Sequence, residues 1–253
     1  MKIVHNAYSS RFHFAARLLK EAIQDCLKTY WGINSLDRRL AELMPYSRGY
    51  FVELGANDGR SQSNSLHFER RKKWKGVLIE PCPTAYMRCK MTRSKDTQIF
   101  CGCCVEPANA GNLIPMEYFN LMSVQTDGTS KFSSDENIKE LRLNKGGEPD
   151  LAYRFGSYSY TLTELLQNAK APKQIDFLSL DVEGAEIAVL KGLNLSEYAF
   201  KYILVETCRE QEVSQLLKKQ NYSLFEKLTA TDLLFRQEEI PNSRNSQLTT
   251  EEP

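Results

Sequence analysis

Apolar residues recur along this chain with two periods, and the switching between them predicts an alternating architecture. From Phe12 to Trp31 they fall at helical spacing, at Ala15, Leu18, Leu19, Ala22, Ile23, Cys26, Leu27 and Tyr30. Arg17, Lys20, Glu21, Gln24, Asp25 and Lys28 fill the opposite face. This predicts an amphipathic helix within an N-terminal extension, residues 1–45, packed on a main domain. Both signs of charge on its polar face argue against a membrane-surface role. Short apolar runs then alternate with helical patterns. Strands are expected at Tyr50–Leu54, Gly76–Glu80, Gln98–Val105, Ile175–Asp181 and Tyr202–Glu206. Helices are expected at Ser61–Arg71, Thr84–Thr92, around Ala185–Leu193 and at Glu210–Lys219. Tyr222–Lys227 and Asp232–Arg236 read as a closing antiparallel pair. Such alternation implies an α/β domain over residues 46–237, a mostly parallel sheet with helices on both faces.

Two polar segments break the pattern. Val124–Asp150, rich in Gly, Ser, Asp and Lys, reads as a long insertion after the third strand, a lid or binding loop. Residues 238–253 lack apolar periodicity and read as a disordered tail.

Composition narrows the partners. Thirty-three Lys and Arg balance 32 Asp and Glu, a formal net charge of +1, so no global field favours nucleic acid or an anionic membrane. The first ten residues carry no signal-peptide core, and no uncharged apolar run reaches the roughly 20 residues that span a bilayer. The seven cysteines lack the spacing of a disulfide framework, and a cytoplasmic protein is expected. Cys101, Cys103 and Cys104 crowd together without a CxxC pair or a histidine cluster. They read as small apolar residues at a buried strand end, not as metal ligands.

The first strand runs into Glu53-Leu54-Gly55-Ala56-Asn57-Asp58-Gly59. Ligands of open α/β sheets sit beyond the carboxyl ends of the strands. There Gly55 permits a tight turn, and Gly59 a close backbone approach to a ligand. Glu80 closes the second strand 21 residues after Gly59, placed to accept hydrogen bonds from a ribose. Together these features favour a nucleoside site. The dinucleotide fingerprint GxGxxG is broken, with Asn57 and Arg60 where its second and third glycines belong. S-adenosylmethionine carries no phosphate and suits this loop better, and Glu53 suits its cationic amino group. The expected cofactor contacts are therefore Glu53, Gly55, Ala56, Asn57, Gly59, Glu80 and Asp181.

On FVELGANDG (Phe51–Gly59), GVLIEP (Gly76–Pro81), TLTELL (Thr161–Leu166), IDFLSLDVEGAEIAVLKGL (Ile175–Leu193) and YILVE (Tyr202–Glu206), the chain resembles the FkbM-type S-adenosylmethionine-dependent methyltransferases. The resemblance spans about Tyr50 to Arg236. Glu53 stands where the family often has Asp, and Ser179 where many members carry Lys. It implies a Rossmann-like class I methyltransferase fold and O-methylation of a hydroxyl on a small molecule or glycan. No aromatic-basic stripe accompanies the core, so a nucleic-acid acceptor is not expected.

Methyl transfer to an alcohol needs a group to take its proton. Asp181 and Glu183 lie at the carboxyl end of the fourth strand and Glu206 at that of the fifth. Acids so grouped are costly unless paired or hydrogen-bonded. Asp181 is expected to contact the cofactor or reacting centre, Glu183 to act as base, and Glu206 to orient the acceptor. The alternative for Asp181 and Glu183 is capping of the following helix. A divalent cation shared by the three acids is left open, without a predicted ligand set. His67 reads as a packed or solvated helix residue before a base. Tyr153, Tyr158 and Tyr160 are candidates for an acceptor pocket, with simple packing the equal alternative. The competing functions are a non-catalytic cofactor- or partner-binding domain and, less favoured, a nicotinamide-dependent oxidoreductase. Oligomeric state and acceptor identity leave no trace in the sequence.

Overall fold

Phe51 and Val52 are neighbours in sequence but belong to two different hydrophobic cores. This is the period-two alternation of a strand buried on both faces. The computed structural model describes residues 28–119, 122–125 and 152–238. They form a mixed α/β arrangement around a seven-stranded sheet.

The large sheet contains β1 (Tyr50–Leu54), β2 (Lys75–Glu80), β3 (Gln98–Cys101), β8 (Gln174–Leu180), β9 (Ala199–Glu206), β10 (Tyr222–Lys227) and β11 (Asp232–Gln237). Its spatial order is β10-β11-β9-β8-β1-β2-β3. The β1–β2, β2–β3, β1–β8 and β8–β9 pairings are parallel, whereas β11 runs antiparallel to both β9 and β10. Helices α4 (Leu162–Asn168), α5 (Glu186–Lys191) and α6 (Glu210–Lys218) share a core with Val52, Val77, Leu178 and Ile203. On the other face, α1 (Leu36–Leu43), α2 (Leu66–Lys72) and α3 (Pro83–Thr92) pack with Phe51, Leu78, Phe177 and Leu204.

Several expectations change here. The extension, expected as a separate segment packed on the main domain, instead shares that domain's core through helix α1. Leu40 and the adjoining Met44 are fully buried against Phe51 and Trp74, so the boundary expected at residue 45 falls inside one core. Burial of each such side chain contributes about 1.5–3 kcal/mol. Residues 28–31, assigned to the N-terminal helix, are not helical, and Trp31 donates its N–H to the Asp37 carboxylate. The remainder of that helix lies outside the described residues. Helix α2 begins at Leu66 rather than Ser61. Asp58 accepts from the N–H groups of Arg60 and Ser61, and Ser63 Oγ from those of Ser65 and Leu66, which holds the chain in turns.

The expected third strand breaks at Gly102. Beyond it, β4 (Cys103–Cys104) leaves the large sheet for a four-stranded one, in the order β4-β7-β5-β6. Its other strands, β5 (Leu113–Phe119), β6 (Met122–Gln125) and β7 (Ala152–Tyr160), were not expected from the sequence. Val124 and Gln125, assigned to the polar insertion, are buried residues of β6, and the rest of that insertion lies outside the described residues. The tail is likewise undescribed beyond Glu238. Among the described residues no helix is long and apolar enough to cross a membrane.

Candidate active site

At the carboxyl ends of β1, β2 and β8 the two sheets enclose a cleft with an empty volume of about 610 Å³. Leu54, Gly55, Asn57, Glu80, Asp181 and Glu183 supply one side. Met116, Tyr118, Met122, Ser123 and Gln125, from β5 and β6, supply the other.

Glu80 is the best-defined polar group in this cleft. It ends β2 almost fully buried, with Oε2 accepting from Asn57 N–H at 2.7 Å and Oε1 from Cys82 N–H at 2.9 Å. Burial pushes its carboxyl up to about 7, against the opposing effect of those two amides and the Ser123 hydroxyl. Ser123 could not be foreseen, because it lies beside a polar segment whose sequence carries no strand signal.

The glycines of the loop have different reasons from those expected. Gly55 adopts φ +74°, and a Cβ there would lie 1.8 Å from the carbonyl oxygen of Asp181. Gly59, at φ +75°, faces away from the cleft, where a Cβ would meet Arg93 Cγ and Cys89 Cα at 3.2 Å. Its requirement is protein packing rather than approach to a ligand. Ala56 is also turned into the core, with its N–H on the Ile79 carbonyl.

Glu53, expected beside the cofactor, is committed elsewhere. Side chains alternate along β1, so Leu54 lines the cleft while Glu53 faces the α2 side of the sheet. There its carboxylate accepts from Arg93 Nη2 at 2.7 Å, from the Ser63 and Ser65 hydroxyls, and from Asn64 N–H. Four of the seven expected cofactor residues therefore meet in the cleft, namely Gly55, Asn57, Glu80 and Asp181.

A second recess, of about 430 Å³, adjoins the first. Asp181 and Glu183 line both, and Glu206, Thr207, Arg209 and Thr231 complete the second. Parallel pairing of β8 with β9 brings Asp181 and Glu206 together, and their side chains hydrogen-bond. Burial, the Glu206 charge and the Glu183 charge hold the Asp181 carboxyl well above the usual carboxylate range. Glu183 sits in the left-handed region at φ +53°, a strained conformation for a residue with a Cβ. The N-cap position of α5 is Ala185, which carries no side-chain cap, and Glu186 Oε1 accepts from Gly184 N–H at 2.7 Å just before the helix.

The remaining candidates lie apart from the two cavities or at their edges. His67 is buried against Tyr30, ring centroids 4.7 Å apart, and its Nδ1 meets the Thr29 carbonyl, as a packed residue. Tyr153 hydrogen-bonds Thr84 Oγ1 at 2.6 Å, Tyr158 is largely exposed, and Tyr160 packs against the core. None of the three lines the cleft or the recess. Cys103 and Cys104 are buried at the cleft wall, whereas Cys101, expected to be buried with them, is exposed. Among the described residues no group of three or more His, Cys, Asp or Glu is arranged to hold a metal ion.

The family model of the methyltransferase FkbM domain matches residues 53–224. No curated protein matches the sequence. Among solved structures, one of a proposed RNA methyltransferase from Pyrococcus horikoshii, PH1948, is similar at 10% identity with a TM-score of 0.39. That similarity covers 83% of this chain and 82% of the other.

Proposed function

Because the chain belongs to the FkbM methyltransferase family, we propose that it binds S-adenosylmethionine in the cleft beside Glu80 and methylates a hydroxyl of a small molecule or glycan held in the adjoining recess. The observation that carries this reading is the shared wall of the two cavities. Asp181 and Glu183 line both, so a donor on one side and an acceptor on the other would meet at two carboxyl groups. The strand order of the large sheet, with β11 reversed beside β9, supports a Rossmann-like class I layout.

The residues fit the cofactor. Glu80 has acceptor capacity beyond its two backbone donors and the Ser123 hydroxyl, and accepts hydrogen bonds from a ribose best when ionised. A pyrophosphate would need a helix N-terminus directly after the glycine loop, whereas α2 starts only at Leu66. A dinucleotide is disfavoured on that ground. When bound, the sulfonium supplies the methyl group. Glu183 takes the acceptor's proton, the Asp181–Glu206 pair offers a hydrogen bond to the oxygen that loses it, and β5 and β6 exclude water from above. The described cysteines are free thiols, in keeping with a cytoplasmic setting.

The test is transfer of labelled methyl from S-adenosylmethionine to fractionated metabolites and glycans, followed by location of the label. An ether methyl supports the reading. A labelled nitrogen, or a labelled nucleic acid in a parallel incubation, would replace the acceptor class. A protein that binds the cofactor and labels nothing would favour the non-catalytic binding module.

A further inference from the structure

Helix α3 carries Cys89 and is capped by Arg93, four residues on, so both can face the same side of the helix. Both reach the loop that follows β1. Cys89 Sγ donates to the Asn57 carbonyl at 2.8 Å, and Arg93 Nε donates to the Gly59 carbonyl at 2.6 Å. On the cleft side, the Asn57 N–H is held by Glu80, the last residue of β2. All three anchors belong to the β2–α3 unit. The loop and the carboxylate assigned to the ribose are therefore held relative to each other by one rigid piece of structure.

The Arg93 guanidinium is completely buried. Its Nη2 lies 2.7 Å from Glu53 Oε2, 2.9 Å from Ser63 Oγ and 2.7 Å from Ser65 Oγ, and its Nη1 is 3.3 Å from Glu69 Oε2. A buried ion pair is a poor source of stability compared with a hydrophobic pair of the same volume, because desolvation offsets the attraction. What the planar fork provides is direction, fixing several oxygens at once. Those oxygens come from β1, from the loop and from α2. The loop they fix contains four residues at positive φ, Gly55 at +74°, Asn57 at +48°, Gly59 at +75° and Gln62 at +61°, a conformation that surrounding structure must impose on the two non-glycines.

We propose that Arg93 is the positioning residue of the cofactor loop, holding it through the Gly59 carbonyl while Glu53 compensates its charge. The role rests on the reading of this loop as the S-adenosylmethionine site. It also assigns Glu53, whose carboxylate otherwise has no task in the cleft.

The experiment compares full-length wild type, Glu53→Gln, the Arg93→Met/Glu53→Gln double variant and Arg93→Lys. Two measurements are made, amide hydrogen exchange without ligand and calorimetric titration with S-adenosylhomocysteine. In the double variant the amides of residues 55–60 should exchange about tenfold faster while those of residues 175–180 keep their rates. Its affinity should fall by about tenfold or more. Glu53→Gln retains the Arg93–Gly59 contact and should stay within about threefold of wild type in both, although it melts earlier. Arg93→Lys keeps a cation beside Glu53 but loses the Gly59 contact, and should reproduce the loop-specific loosening even if the double variant fails to fold. Unchanged loop exchange and affinity in a folded Arg93 variant, or exchange that rises uniformly along the chain, overturns the proposal. A wild type that binds no S-adenosylhomocysteine sinks the cofactor reading and this role with it. Binding by wild type that the Arg93 variants retain sinks Arg93 alone.

Discussion

Gly55 lies directly over the carbonyl of Asp181, so close that a Cβ on the glycine would fall 1.8 Å from that oxygen. Two central strands, β1 and β8, thus end against each other, and the loop after one forms the floor for the acids after the other. The Asp181 N–H reaches back to the Leu54 carbonyl at 3.4 Å, closing the contact from the other side. Gly55 therefore joins the loop after β1 to the acids after β8 as well as turning the chain.

Gly55→Ala is expected to be severe. A left-handed alanine costs about 1–2 kcal/mol, and the overlap with backbone that cannot move adds about 1–3 kcal/mol more. Urea denaturation should show a loss of about 2–5 kcal/mol. A loss below about 1 kcal/mol would mean that the two loops separate easily and are not a single unit.

On the proposed reading, Glu80 should make cofactor binding depend on pH. Its carboxyl is raised by burial from the usual 4.5 to about 7, so the folded chain holds this proton more tightly than the unfolded one. Its contribution to stability is complete below about 4.5 and is lost as pH rises through 7. Binding runs the other way, because ribose hydroxyls donate to the ionised form. The affinity for S-adenosylhomocysteine should weaken about tenfold from pH 8 to pH 6. Glu80→Gln should bind more weakly at pH 8 and lose that dependence. An equal slope in wild type and variant would remove Glu80 from the site.

Glu183 separates stability from chemistry. Glu183→Gln should lower single-turnover methyl transfer by about 10²–10⁴-fold with cofactor affinity intact, the usual range for a lost general base. Glu183→Gly should be equally inactive yet more stable by about 1 kcal/mol, since glycine accepts φ +53° without strain. Normal chemistry in the glutamine variant, or destabilisation by glycine, would contradict a strained catalytic residue at this position.

Local patterns in the chain reach a long way. Period-two and helical spacing locate the seven strands of the large sheet, mostly to within a few residues, because each strand's two faces are read from its own neighbours. They also place Glu80, Asp181 and Glu206 at strand ends and Glu183 just beyond. The same reasoning fails where the deciding contact is distant in sequence. Glu53 reads as a cofactor ligand until the sheet sets it on the face where Arg93 waits, 40 residues away. Gly59 reads as a glycine for close backbone approach to a ligand until α3 packs against it. Strands β5, β6 and β7 carry mixed polar and apolar residues, and their pairing partners lie across a segment that reads as a loop. Whether Asp181 meets Glu206 depends on the parallel neighbours β8 and β9, a choice of sheet order that no short stretch of sequence contains. Neighbouring residues determine which way a side chain alternates, whereas only the assembled sheet decides what it meets.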